Sequence, residues 1–416
     1  MQNANTLPER ERRRGLAVLL ATTFLSWGGF FAVVPLISIH FVDDIGWTAA
    51  SVGLVLAVRQ FLQQGSSSLT GAIADRIGPK PLMCFGMAVR AVGFLFLAAA
   101  AESYLLVMVA SVVMALGGGF FESPQAAATA ALTTPADRRR FYALNGTVAG
   151  IGTSLGTQAG ALLLNFNFAT VAVAGAITFA IIFVMIMVFM PSISVSIGNQ
   201  GAREGLRLAV TDRLFFGFNL LLMGFWFMNT QFSISLPLAA KDISGHTSSV
   251  AWVFGVNSVV TIVLGYVLPR VLERRLGNIP MLIVGIVITA IGMIAIGWAD
   301  SLVTLLLCVF VLSIGTVLAR PSQQTISAGL ARPDALGAFL GVGALSLAFG
   351  GGIGNYTGGV IYDVGKNNDL QWLPWVVFGA IGLSAAIGLS IFRPKLEARQ
   401  NELLQRELDL EQTAAA

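Results

Sequence analysis

"RIGPKPLMCFGMAVRAVG" (residues 76–93) and "RLGNIPMLIVGIVITAIG" (residues 275–292) are two versions of one segment. Gly78 falls on Gly277, Pro81 on Pro280, Gly86 on Gly285 and Gly93 on Gly292, at an offset of 199 residues. Downstream, "TPADRRRFYALNG" (134–146) lies over "RPDALGAFLGVGA" (332–344), with Pro135 on Pro333 and Phe141 on Phe339 at an offset of 198. The same offset carries Gly152, Gly156 and Gly160 onto Gly350, Gly354 and Gly358. One inserted residue near position 100 reconciles the two offsets. Three blocks in register along two halves make an internal repeat.

The composition says what repeats. Of 416 residues, 56% are hydrophobic and only 11% are charged. A soluble domain carries about 25% charged residues, so the chain reads as a polytopic membrane protein. A span needs about 20 apolar residues. Twelve such runs occur, near 16–40, 47–70, 81–100, 104–131, 141–165, 168–190, 214–240, 247–269, 280–299, 302–328, 337–362 and 372–392. The long break at 191–213 divides them six and six. The first run is too long for a signal-peptide core, has no small-residue cleavage site, and reads as a retained span.

Basic residues set the orientation. With the N-terminus inside, twenty of the 25 lysines and arginines fall on the inner side. Only Lys241 and Lys366 fall outside, and Arg59, Arg90 and Arg320 lie within runs. The sequence thus predicts an all-α membrane protein of twelve transmembrane helices in two parallel six-helix repeats, with both termini cytoplasmic. Residues 1–190 form the first bundle, 191–213 a cytoplasmic central loop, 214–393 the second bundle and 394–416 a cytoplasmic tail. The net charge of +4 follows from the inner-side bias and gives no reason to expect nucleic acid as a partner.

Cys84 and Cys308 lie in apolar runs, and His40 and His246 are far apart, so no metal or redox pattern forms. No GxxxxGK[ST] loop is present, which argues against direct ATP drive. No catalytic constellation supports an enzyme, and no cofactor is expected. Parallel six-helix repeats are a transporter architecture with the substrate site near the midplane. The glycines at i, i+4 and i+8 in the fifth and eleventh runs suit close helix crossing. They read either as the seam between the two halves or as tight packing inside each one.

"GGGFFESPQAAATAAL" (117–132) holds Glu122, the one carboxylate well inside a span. A charge there costs about 2.5–3.5 kcal/mol on insertion scales and belongs in a bundle interior or a wet cavity. At the repeat offset Glu122 maps onto Arg320, and Gln125 onto Gln323. Two polar stripes follow at helical spacing: Glu122, Gln125 and Thr129, and Arg320, Gln323, Gln324 and Ser327. Glu122 and Arg320 either pair across the pseudo-twofold or face one cavity, and a permanent interhelical lock is an equal alternative. Arg59 with Gln60, Gln63 and Gln64 gives a third stripe, on the second run. Arg90 reads as peripheral. Trp27, Phe30 and Phe31 in the first run, and Trp226, Asn229 and Gln231 in the seventh, are candidate substrate contacts. The alternative for the aromatics is a lipid-facing or interfacial position.

"GAIADRIGPKPLM" (71–83) resembles the loop between spans 2 and 3 of the major facilitator superfamily, in its drug:proton antiporter branch. Gly71, Ala74, Asp75, Arg76, Gly78, Lys80 and Met83 match the pattern, and Pro79 replaces its usual basic residue. The resemblance covers nearly the whole chain. It implies a monomeric bacterial cytoplasmic (inner) membrane carrier that exports small amphiphilic compounds by alternating access in exchange for protons. It implies a gating loop of Gly71, Asp75, Arg76, Gly78 and Lys80, in which Asp75 meets the N-terminus of the eleventh span near Gly337. If the carrier is proton-coupled, Glu122 is the leading proton site by elimination, as the one carboxylate of 21 well inside a span. Three family features are missing: an arginine early in span 4, the proline where "GTQAG" has Thr157, and an acid in span 1. These departures bear on proton coupling rather than on transport. Three intramembrane arginines against one glutamate suit an alternative, a proton-independent carrier or importer of a small organic anion.

Overall fold

The computed structural model describes residues 8–100, 102–133, 135–164, 166–193, 202–331 and 336–415. Side chains are described for these except 67–69, 71, 72, 75, 76, 135–140, 143, 202–206, 274, 336–338, 340 and 403–415. The described residues form a helical bundle. The first repeat comprises α1 (Glu9–Ile39), α2 (Ala49–Ile77), α3 (Pro79–Ala99), α4 (Tyr104–Leu132), α5 (Pro135–Leu164) and α6 (Phe168–Phe189). A short α7 (Ala202–Thr211) lies in the central segment. The second repeat comprises α8 (Arg213–Thr230), α9 (Ser235–Ser244), α10 (Ser249–Leu264), α11 (Val267–Leu276), α12 (Asn278–Ile296), α13 (Leu302–Leu330), α14 (Leu336–Asn367) and α15 (Leu373–Ala415).

Among the described residues, seven helices are long and apolar enough to cross a membrane, and α10 with α11, bent by 53°, makes an eighth as a pair. The twelve expected runs exceed this for a local reason. Arg59, Gln60, Gln63 and Gln64 dilute α2, while glycine and polar residues dilute α5 and α14. The expected seventh span is also interrupted: α8 ends at Thr230, a 3₁₀ turn covers Gln231–Ser233, and α9 follows. Large apolar side chains face outward along the bundle, with Leu105 71% and Ile391 72% exposed. That surface suits lipid and would be a liability in water.

The repeat reappears in local geometry. Gly78 and Gly277 both start their helices with positive φ, 85° and 78°, a region that only glycine enters freely. Ser103 caps α4 by accepting from the Leu106 amide, and Ser301 caps α13 by accepting from the Thr304 amide. Close approach repeats as well. A Cβ on Gly86 would stand 2.6 Å from the Gly117 carbonyl oxygen, and one on Gly285 would stand 2.8 Å from that of Gly315. Thus α3 packs on α4 as α12 packs on α13.

The glycine ladders do not form the seam between the repeats. Gly152, Gly156 and Gly160 on α5 pack against the backbone of Phe24, Gly28 and Ala32 on α1. Gly350 and Gly354 on α14 pack against Met223 and Phe227 on α8, and Gly358 packs against Gln231 just beyond it. Each ladder closes its own repeat, as the second reading of those glycines allowed. The repeats meet elsewhere, along α2 with α14 and α5 with α10. Gly53 lies under the Asn355 carbonyl, and Gly359 lies over Ala49.

Polar ties join the repeats at the end of the bundle away from the N-terminus. The Asp363 carboxylate accepts from the amides of Ala49 (2.9 Å) and Ala50 (2.8 Å) in the first turn of α2. Lys241 lies 3.3 Å from the carboxylates of both Asp43 and Asp44. Ser38 donates to the Ser233 carbonyl at 2.8 Å.

Candidate functional site

Three consecutive glycines build the first cluster. Gly117 lets α3 approach α4: a Cβ there would stand 2.6 Å from the Arg90 amide nitrogen. Gly118 and Gly119 let α2 approach: a Cβ on Gly118 would stand 2.9 Å from Gln63 Cδ, and one on Gly119 2.9 Å from the Gln63 carbonyl. Thr70 adds a bond from its hydroxyl to the Gly119 carbonyl at 2.8 Å. One turn later stands Glu122, ten residues before the end of α4, or about 15 Å at 1.5 Å rise per residue.

Glu122 is half-buried, and its Oε1 accepts from Gln63 Nε2 at 2.5 Å. Arg59 donates to the other end of Gln63, at 2.8 Å to Oε1. Arg59 and Arg90 are both buried and both within electrostatic reach of Glu122. The two guanidinium groups share the Phe30 ring, with Cζ atoms 4.9 and 5.0 Å from its centre. Arg90 also lies 4.8 Å from the centre of Phe179. Cation–π contacts of this kind hold desolvated arginines in place. Below the carboxylate, Gln125 Nε2 donates to the Thr23 hydroxyl at 3.0 Å, and Thr23 donates to Asn145 Oδ1 at 2.7 Å.

Arg320 occupies the equivalent depth in the second repeat, ten residues before the end of α13. Among the described residues no ion pair joins it to Glu122. Its Nη2 donates to Asn229 Oδ1 at 2.7 Å, and its Cζ lies 6.0 Å from the centre of the Trp226 ring. The direct-pair reading of Glu122 and Arg320 is corrected here, because each has found partners on its own repeat. Gln323 donates to the Ser327 hydroxyl at 3.1 Å, and Gln324 is exposed.

The Major Facilitator Superfamily family model matches residues 19–283 and 229–411. The chain belongs to the major facilitator superfamily. It is 37% identical over 380 residues to the multidrug resistance protein MdtH of Photorhabdus laumondii, spanning 91% of this chain and 94% of that one. It is 35% identical over 383 residues to the MdtH of Yersinia enterocolitica, spanning 92% and 95%. Among solved structures, a POT family transporter in complex with 5-aminolevulinic acid superposes with a TM-score of 0.77 at 15% identity, covering 92% of this chain and 96% of that one. That likeness concerns the fold. The protein is a multi-pass membrane transporter of the superfamily, not an enzyme.

Within this major facilitator frame several expected residues take other roles. Gln231 is fully buried and donates to the carbonyls of Phe227 (3.0 Å) and Gly354 (2.9 Å), while its Oε1 accepts from Ser235 at 2.7 Å. It holds the break after α8 together, with both N–H donors engaged and the side chain fully buried. Phe30 is a platform for two arginines rather than an open contact. Trp27 is 42% exposed and stacks on Phe31 at 5.6 Å, and Phe31 reaches Phe254 on α10 at 5.7 Å. Lys80 donates to the Met190 carbonyl at 2.6 Å, tying the start of α3 to the end of α6. The side chains of Gly71, Asp75 and Arg76 lie outside the described residues.

Arg90 is the site residue that the sequence reading set aside as peripheral. The signal was present: a charge deep in an apolar run, as at Glu122. A separate recess of about 880 Å³ lies between α5 and α10, lined by His40, Asp44, Gln158, Trp252 and Phe310 among others. Trp252 on its wall is 63% exposed, and the recess contains none of the candidate site residues.

Proposed function

We propose that this transporter exports small amphiphilic compounds by alternating access, driven by proton influx, from the bacterial cytoplasmic (inner) membrane. The names of the MdtH relatives support multidrug export. The observation that carries the coupling is Glu122, a deep carboxylate hydrogen-bonded to Gln63 between Arg59 and Arg90. When Glu122 is charged it balances the guanidinium groups. A proton on its free oxygen removes that charge, weakens its hold on Gln63 and Arg90, and loosens the contact of α4 with α2 and α3. Substrate then enters a site whose electrostatics have changed, and release of the proton resets it.

The proposed topology has twelve spans in two bundles, 1–190 and 214–393, with 191–213, 394–416 and both termini in the cytoplasm, acting as a monomer. In this arrangement α8 with α9 is the seventh span and α10 with α11 the eighth. The ends tied by Asp363 and Lys241 then face outward, so the molecule is closed outside and open to the cytoplasm. The exposure of Arg320 supports that reading. Asp75 and its neighbours remain the proposed inner gate.

The test is drug-induced proton release in proteoliposomes, comparing the native chain with Glu122→Gln. Release from the native chain and its loss in the variant, with drug binding retained, is the expected result. Equal release from both would reduce Glu122 to a structural charge. No release from either would favour proton-independent carriage of an anion.

A further inference from the structure

The two deep charges are not treated alike. Glu122 accepts from Gln63 and has the buried Arg59 and Arg90 within electrostatic reach, whereas among the described residues no carboxylate pairs with Arg320. A guanidinium carries five N–H donors and no acceptor, and Asn229 takes one of them. By accepting with Oδ1, Asn229 leaves its Nδ2 to donate elsewhere. Trp226 Nε1 has no acceptor either. Gln324, one turn further along α13, is exposed on the same side. The cluster therefore offers donors and positive charge at mid-span depth with no anion of its own. Intramembrane charges find a partner or a wet cavity, and the planar fork of arginine matches a carboxylate.

We propose that Arg320, positioned by Asn229, is a carboxylate-binding subsite on the transport path. The substrate is then an amphiphile that carries a carboxylate, as an anion or a zwitterion, and not a simple lipophilic cation. A simple cation would meet Arg320 as a like charge. The aromatic surface of Trp226 beneath the guanidinium receives the apolar body beside the acid group. The inference rests on the transport reading above and names the substrate class of that site.

The test uses the full chain purified in detergent and three probes: 2-naphthylacetate, its methyl ester, and 2-(2-naphthyl)ethylamine. The acid should bind at least about tenfold more tightly than the ester, the range expected for one charge-assisted pair. Arg320→Gln should abolish that preference, and an unchanged thermal melt in detergent shows that the variant is folded. Arg320→Lys should keep part of the preference, because it retains the charge and loses the fork. Three results would overturn the proposal: equal binding of acid and ester, binding of neither, or a preference that survives Arg320→Gln. No proton movement enters this measurement. A carrier that keeps the acid preference but releases no protons would refute antiport and leave the subsite standing.

Discussion

Gly117 has no room for a side chain. A Cβ there would stand 2.6 Å from both the Arg90 amide nitrogen and the Gly86 carbonyl oxygen. Gly117→Val should separate α3 from α4 and destabilise the protein by about 1–3 kcal/mol, the usual range for overpacking. Gly255→Ala is the control: nothing lies within 4 Å of its Cβ position, and alanine favours a helix by up to about 1 kcal/mol. Thermal melting in detergent should place the first below the native chain and the second at or above it. Equal melting of all three would sink this account of the α3–α4 contact. At this scale Glu122 was legible because it is the one deep carboxylate. Its partners were not. Gln63 and Arg90 lie on other helices, and the glycines that admit them look like any small-residue run. Gln231 is a parallel case: its polarity was visible, but its burial and its bonds to Phe227, Gly354 and Ser235 were not.

Among the elements, the N-terminus of α2 is held by a residue from the other repeat. Asp363 accepts from the Ala49 and Ala50 amides, so a carboxylate on α14 caps a helix whose own cap residue is Thr48. A carboxylate at a helix N-terminus is favourable by about 0.3–1 kcal/mol, and by about 2 kcal/mol in partly buried geometry. Asp363→Ala should therefore shift the population towards an outward-open form by roughly two- to thirtyfold. The measurement is labelling of Ala49→Cys by a membrane-impermeant maleimide, with Cys84 and Cys308 replaced by serine. Ala49 is fully buried beneath Gly359 in this structure, so labelling reports opening. Faster labelling with Asp363→Ala is expected, and an unchanged rate would remove Asp363 from the latch. Gly78 and Gly277, paired by the repeat in the sequence, both open helices with positive φ, because such a turn is local. The breaks after Thr230 and Gly265 were not readable in advance, since the apolar pattern runs through both.

For the whole molecule, the proposed twelve-span topology makes a direct forecast. A fluorescent protein fused after residue 416 should fluoresce, and alkaline phosphatase inserted just beyond Lys241, in the connection between α9 and α10, should be active only if that connection is outside. Inactive phosphatase at Lys241 would invert the orientation and, with it, the assignment of the Asp363 latch to the outer face. The internal repeat, the membrane class and the one-sided charge bias could all be read from the chain, because each is a pattern in residue order: a period, a length, a count of charges. The assignment of contacts could not. The glycine ladders serve α1 with α5 and α8 with α14, not the seam, and Arg320 turns to Asn229 while Glu122 turns to Gln63. These outcomes depend on which helix faces meet in space. Several faces of an apolar helix can satisfy the same one-dimensional pattern, and only the packing of backbone against backbone selects among them.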